Sequence, residues 1–312
     1  MTLFAFVFPG QGSQAVGMLD TWGHHPAVRA TLTEAAEALG QDVAALIHQG
    51  PKEQLDLTTN TQPVMLTAAI ACYRAWRAEG GAEPAAVAGH SLGEYSALVA
   101  AGALSLNDAL PLVRFRAQAM QAAVPVGIGA MAAILGLEPA LVVLGCAQAA
   151  ADSGEVVSAA NFNDPKQTVI AGSKLGVDKA CEVLKAMGAK RTLPLAVSAP
   201  FHCALMQPAA DQLRERLATV QIQTPKLPVV NNIDAQVVSD PAAIRDALYR
   251  QASGPVRWVE VIQALKARGL SHVIECGPGK VLAGMVKRID AELTGAALFD
   301  PASLAEVKGM LA

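Results

Sequence analysis

Paired cysteines are missing from this chain. Its five cysteines, Cys72, Cys146, Cys181, Cys203 and Cys276, are odd in number, far apart and never arranged as C-x-x-C, which excludes a disulfide framework and suits a reducing, cytoplasmic setting. Metal-ligand spacing is missing too: His24-His25 is an adjacent pair rather than an i,i+4 pair, so no metal site is expected. There is no basic surplus. The formal net charge is -3 and the charged residues, 16% of the chain, form no long runs, so nucleic acid is not an expected partner. The longest apolar stretch, Ala122 to Leu137, carries Pro125 and three glycines and falls short of the roughly 20 residues a membrane span needs. No membrane partner is expected. Leu3 to Phe8 has no basic region before it and ends in Pro9-Gly10, so export is not expected either.

What is present is enough apolar sequence for a large core, 52% of 312 residues, which favours one big domain with an elaboration. Strand-like and helix-like runs alternate: Leu3 to Phe8, a helix near Val28 to Ile47, a helix from Pro63 to Glu79, then Ala85 to Ala88. That alternation predicts an α/β layer with a mostly parallel sheet. After Pro125 the order changes to strand (Gly129 to Leu137), helix (Pro139 to Ala151), strand (Val156 to Asn161), strand (Gln167 to Gly172), helix (Val177 to Met187), strand (Lys190 to Val197). This β-α-β-β-α-β order predicts a ferredoxin-like insertion. Prolines 125 and 200 flank it, which divides the chain into a discontinuous large domain, 1–124 with 199–312, and a small subdomain, 125–198. The α/β pattern resumes with a helix at Asp211 to Leu217, a strand at Leu227 to Asn231, a helix at Val259 to Arg268 and a strand at His272 to Cys276. A cleft between the two parts is the expected site.

Gly89-His90-Ser91-Leu92-Gly93 follows the apolar run Ala85 to Ala88 and opens a helix-compatible stretch, Glu94 to Ala101. This is the G-x-S-x-G nucleophile pattern in its mechanical context, a tight strand-to-helix turn that presents the serine hydroxyl. Ser91 is the candidate nucleophile, and the Leu92 amide at the helix start is placed for half of an oxyanion hole. His202, beside Phe201, is either a core histidine or the base that a serine needs at neutral pH. The order nucleophile then base favours the base. Asp108, Asp152, Asp164 and Asp178 fall between them but at helix starts, loops or surface-like faces, so a backbone carbonyl is the simpler orienter of His202. In the helix expected from Asp108 to Ala123, Arg116 falls within the apolar stripe of Val113, Ala117 and Met120, while Arg114 is about 200 degrees away. A guanidinium there needs an anion, either a structural carboxylate or a substrate. The loop Phe8-Pro9-Gly10-Gln11-Gly12-Ser13 is either an ordinary tight turn or a source of further amides for an oxyanion. Gly127-Ile128-Gly129-Ala130-Met131-Ala132 precedes a strand instead of following one, which argues against a dinucleotide site.

Taken in order, Phe8 to Ser13, Gly89 to Glu94, Arg116, Asn161-Phe162-Asn163 with Val169 to Gly172, Phe201-His202, Asn231-Asn232 and Glu275 to Gly279 resemble the malonyl-CoA:acyl carrier protein transacylase family of bacterial fatty acid synthesis. The resemblance runs from near residue 3 to near residue 300 and implies a hydrolase-like α/β core with a ferredoxin-like insertion. It further implies ping-pong transfer of malonyl from malonyl-CoA to the phosphopantetheine thiol of acyl carrier protein through an O-malonyl-serine, with no cofactor, by a cytoplasmic monomer. Position by position, it makes Ser91 the nucleophile, His202 base and acid, Gln11 and Leu92 the oxyanion-hole amides, and Arg116 the clamp on the malonyl carboxylate. Gln251 then supplies the main-chain carbonyl that orients His202, and bulky Phe201 disfavours an α-branched acyl group. Lys190-Arg191 and Lys287-Arg288 are either docking cations for an acidic carrier or ordinary solvated surface.

Overall fold

The computed structural model describes residues 2–125 and 127–312. Five strands build the larger sheet, in the order β7-β2-β1-β8-β9, every neighbouring pair parallel. They are β1 (Phe4–Phe8), β2 (Ala86–Gly89), β7 (Val229–Val230), β8 (His272–Cys276) and β9 (Thr294–Leu298). All five residues of β1 are buried, and because successive side chains point to opposite faces, the strand serves two cores. Phe4, Phe6 and Phe8 pack with Trp76 and the helix Thr58–Ala78 on one face; Ala5 and Val7 pack with Trp258, Ile262 and Val286 on the other. β1, which leads into the Gln11 loop and pairs with β2, is therefore locked on both sides.

The smaller sheet is antiparallel in the order β4-β5-β3-β6, from β3 (Gly129–Leu135), β4 (Val157–Asp164), β5 (Gln167–Ser173) and β6 (Arg191–Pro194). Helices Pro139–Ser153 and Lys174–Ala186 follow β3 and β5, giving the ferredoxin-like order expected from the sequence. One sheet face packs Ala132, Ile134 and Ile170 on those helices. The other, with Met131, Ala133 and Val169, meets Cys203, Phe201 and Leu205. The helix-free face thus lies over the segment that carries His202.

A seam joins the two sheets through β4, whose pairing with β5 shifts register between Ala159 and Asn161 and again between Phe162 and Asp164. Such bulges leave backbone groups unpaired within the sheet. Here they pair outside it: Val256 N–H donates to Ala160 O at 2.8 Å and Phe162 N–H to Val256 O at 2.9 Å. Buried Asp164 accepts from Arg288 Nε at 2.8 Å.

Several elements differ from the sequence expectation. The helix expected over Val28 to Ile47 is two, Pro26–Leu39 and Val43–Gln49, because Gly40 caps the first in the left-handed region and the Asp42 side chain accepts from Ala45 N–H to start the second. The helix expected from Pro63 begins at Thr58 instead. Thr61 Oγ1 donates to Leu55 O and Leu57 O there, which ties a first turn ahead of the proline. Helix Pro241–Ser253 and strand β9 carry no expectation at all.

Candidate active site

Ser91 sits at the turn between β2 and the helix Gly93–Ala100 with φ 51°. His90 N–H donates to Phe8 O at 3.0 Å, so the ladder holds the chain up to the residue before the turn. Both flanking glycines are required sterically: a Cβ on Gly89 would stand 1.9 Å from the Gly93 carbonyl, and one on Gly93 2.0 Å from Phe8 O. Buried Asn232 straps the turn. Its Oδ1 accepts from Ser91 N–H at 2.7 Å and its Nδ2 donates to Gly89 O at 2.6 Å. With the Ser91 amide committed, the next amide at the helix start is that of Leu92.

His202 Nε2 lies 2.6 Å from Ser91 Oγ. Its Nδ1 faces two carbonyls, Gln251 O at 3.0 Å and Gly254 O at 3.1 Å. Carbonyls only accept, so Nδ1 carries the proton and Nε2 presents its lone pair to the serine hydroxyl. Gln251 can supply that carbonyl because it stands in the last turn of Pro241–Ser253, where helix carbonyls have no intrahelical partner. Burial, reinforced by the Arg116 charge, pushes the imidazole pKa down to about 3, so the ring is neutral at neutral pH. None of the intervening aspartates engages it: Asp108 accepts from Ser105, the N-cap of its own helix, Asp164 holds Arg288, Asp178 holds Lys174 and Asp152 is exposed. Both Ser91 and His202 (φ 63°) are non-glycine residues in the left-handed region, a costly geometry that persists only where surroundings enforce it.

Arg116 is 2% exposed on helix Leu106–Ala123. It has no carboxylate ion pair among the described residues; its Nη1 donates to Gln62 Oε1 at 2.8 Å, and its Nη2 to Gln251 Oε1 and Ser91 Oγ, each at 3.1 Å. The guanidinium also lies over the Tyr95 ring, 5.5 Å from its centroid, while Nε has no partner. A buried cation with neutral partners and a free donor is poised for an anion. His90 Nε2 bonds Asn163 Oδ1 at 2.9 Å, across to β4 rather than toward the serine.

These groups open into a cavity of about 470 Å³ lined by Gln11, Ser91, Leu92, Arg116, Phe201 and His202, with Met131 and Asn161 from the small sheet. Gln11 is anchored by its side chain, Nε2 donating to Thr58 Oγ1 at 3.1 Å, which leaves its backbone on the glycine loop at the cavity wall. The docking pairs fare differently. Lys190, Arg191 and Lys287 are exposed, whereas the Arg288 guanidinium is engaged by Asp164 in the seam.

Sequence reasoning gave no role to Gln62, to Glu94 and Asn232, which entered only as motif positions, or to the Gln251 side chain. Gln62 belongs to the helical turn ahead of Pro63, so it was absent from any expected helix face. Among the described residues no cluster of His, Cys, Asp and Glu side chains is grouped to hold a metal ion, and no helix is long and apolar enough to cross a membrane.

The acyl transferase domain family matches residues 5–300. The malonyl CoA-acyl carrier protein transacylase of Escherichia coli K12 is 54% identical over 306 residues, 98% of each chain, and that of Bacillus subtilis strain 168 is 46% identical over 97% of this chain and 96% of its own. Among solved structures, the acyl-carrier-protein S-malonyltransferase from Burkholderia pseudomallei 1710b superposes with a TM-score of 0.97 at 66% identity, covering 99% of this chain and all of the other. A malonyl-transacylase in complex with its type II PKS acyl-carrier protein does so with a TM-score of 0.97 at 48% identity over 99% and 100% of the two chains.

Proposed function

The chain belongs to the acyl transferase family and is an acyltransferase, and on that footing we propose that it moves malonyl from malonyl-CoA to the phosphopantetheine thiol of an acyl carrier protein in bacterial fatty acid synthesis. The path is ping-pong. Ser91 Oγ attacks the thioester carbonyl while His202 Nε2 takes the hydroxyl proton, and the Gln11 and Leu92 amides hold the oxyanion. The C–S bond then breaks and His202 returns the proton to the departing thiolate, leaving an O-malonyl ester on Ser91. In the second half the carrier thiol gives its proton to His202, its sulfur attacks the ester, and Ser91 leaves reprotonated. Neither half changes an oxidation state, so no redox cofactor is needed.

One observation carries the reading of the acyl group: buried Arg116, without a carboxylate partner among the described residues, donates to Ser91 Oγ at 3.1 Å. An acyl chain esterified to that oxygen has its far end beside the guanidinium, so a free carboxylate there forms a charge-assisted pair. Acetyl leaves the cation unpaired. Phe201 stands in the same cavity and is the steric gate against an α-branch. The names of the relatives support malonyl and an acyl carrier protein as substrates. Five unpaired cysteines suit the cytoplasm.

The test is incubation with malonyl-CoA and peptide mass mapping of the adduct. A malonyl group on the Ser91 peptide, lost in Ser91→Ala together with orders of magnitude of turnover, is the expected result; near-normal transfer by folded Ser91→Ala overturns it. In the same assay Arg116→Ala lowers malonyl kcat/KM by roughly 2 to 5 kcal/mol of transition-state stabilisation while sparing acetyl, and Phe201→Ser admits methylmalonyl. An unchanged malonyl-to-acetyl ratio in Arg116→Ala rejects the clamp.

A further inference from the structure

Glu94 is a second buried ionisable group in this region, 2% exposed and unused by the mechanism above. It reaches Arg116 only at one remove. Its Oε2 accepts from Asn232 N–H at 2.9 Å and from Gln251 Nε2 at 3.0 Å. The same Gln251 Nε2 donates to Ser91 O at 2.9 Å, and Gln251 Oε1 accepts from Arg116 Nη2 at 3.1 Å. Gln251 is wholly buried, so its amide cannot rotate without leaving these groups unpaired. The oxygen end points at the cation and the nitrogen end at the carboxylate.

We propose that Glu94 is a positioning residue for acyl-group choice: a remote counter-charge, relayed by the Gln251 side-chain amide, that weakens the field of the Arg116 guanidinium without occupying its donors. The proposal rests on the reading of Arg116 as the malonyl clamp. A carboxylate bonded directly to Arg116 competes with the substrate for those donors; one held behind an amide attenuates the cation's field and leaves its geometry free. The arrangement also explains why Arg116, Ser91 and His202 share Gln251. Its side chain aligns the first two and its carbonyl the third.

Burial raises the Glu94 carboxyl to about 7, against hydrogen bonds from Gln251 and Asn232 and the Arg116 charge, with Asp234 adding to the rise. The test is therefore run near pH 8, where the carboxylate is ionised. Glu94→Gln keeps an acceptor for Asn232 and Gln251 and removes the charge, with an NH2 in place of the second oxygen. KM and kcat for malonyl and acetyl transfer are measured in the unmodified protein, Glu94→Gln, Arg116→Ala and the double variant. Expected is a fall in malonyl KM on the order of 5-fold in Glu94→Gln with acetyl constants little changed, since a lost negative charge strengthens attraction for an anion. The effect vanishes in the Arg116→Ala background. A loss of folded protein lowers both substrates' rates together, leaving the ratio untouched. An unchanged malonyl-to-acetyl ratio in Glu94→Gln, or an effect that persists without Arg116, overturns the proposal. If Arg116→Ala itself leaves the ratio unchanged, the clamp reading falls and takes the proposal with it.

Discussion

His202 sets the behaviour of the site at the scale of single residues. A base that loses its lone pair by protonation stops working as the pH falls through its pKa, and an ordinary imidazole does so near 6.5. With burial and Arg116 holding this ring's pKa down at about 3, malonyl kcat/KM of Glu94→Gln, in which the neighbouring carboxyl that titrates at about 7 is gone, is expected to stay level from about pH 8 to about pH 5. Initial rates of CoA release across that range check it. An acid limb with a midpoint near 6.5 contradicts the desolvated, neutral ring. Much at this scale was legible in the sequence, because a nucleophile pattern and an arginine on an apolar stripe each announce a chemical need. The roles of Glu94, Gln62 and Asn232 were not, since they lie in which atoms these side chains meet across 54 to 157 residues of chain, and no local pattern encodes that. Gln251 was named for its carbonyl on resemblance, while its side-chain amide gave no sign.

At the scale of elements, the nucleophile turn depends on close approach more than on flexibility. Gly93 has no room for a side chain: an added methyl meets Phe8 O at 2.0 Å, and that oxygen belongs to β1, held between β2 and β8. Since neither partner can yield, Gly93→Ala is expected to cost upwards of about 3 kcal/mol of stability, the upper range for overpacking, and to displace Ser91. Urea unfolding at fixed pH measures the first and the malonyl adduct the second; a stable and fully acylated Gly93→Ala removes the steric argument. The elements that escaped the sequence did so for physical reasons. Strand β9, Thr-Gly-Ala-Ala-Leu, has almost none of the β-branched or aromatic character that marks a strand, and earns its place by pairing with β8 at the sheet edge. In Thr58–Ala78 local side-chain-to-backbone ties ahead of Pro63 overrode the usual reading of proline as a first-turn residue.

The molecule as a whole carries a pH liability in its core. Glu275 on β8 is 0% exposed; its Oε2 accepts from Ala283 N–H at 2.9 Å at the start of helix Val281–Ile289, and Oε1 has no partner. Burial raises its carboxyl from 4.5 to about 7, against the pull of the helix amides. A folded-state pKa above the unfolded one means that its contribution to stability is fully present below about 4.5 and is lost as pH rises through about 7, by up to about 3 kcal/mol. Glu275→Gln cannot ionise, so its unfolding free energy should decline less between about pH 5 and pH 8. A residual decline remains from Glu94, whose carboxyl is raised in the same direction. Equal declines in the two proteins, measured by urea titration at both pH values, contradict a charged, desolvated Glu275. The two-sheet plan was read from the β-α-β-β-α-β order, but the seam between the sheets was not, because bulges in β4 arise from backbone register and leave no mark in composition. That seam limits how such an enzyme can be rebuilt. One short loop gives the Gly254 carbonyl to the base and, two residues on, the Val256 backbone to β4. A chimera that imports Gly129–Pro194 from a relative also imports a foreign edge against that loop, and any misfit arrives at His202 as a displaced acceptor. Grafting the small sheet to broaden substrate range therefore puts at risk the rate shared by every substrate, unless the loop travels with the graft.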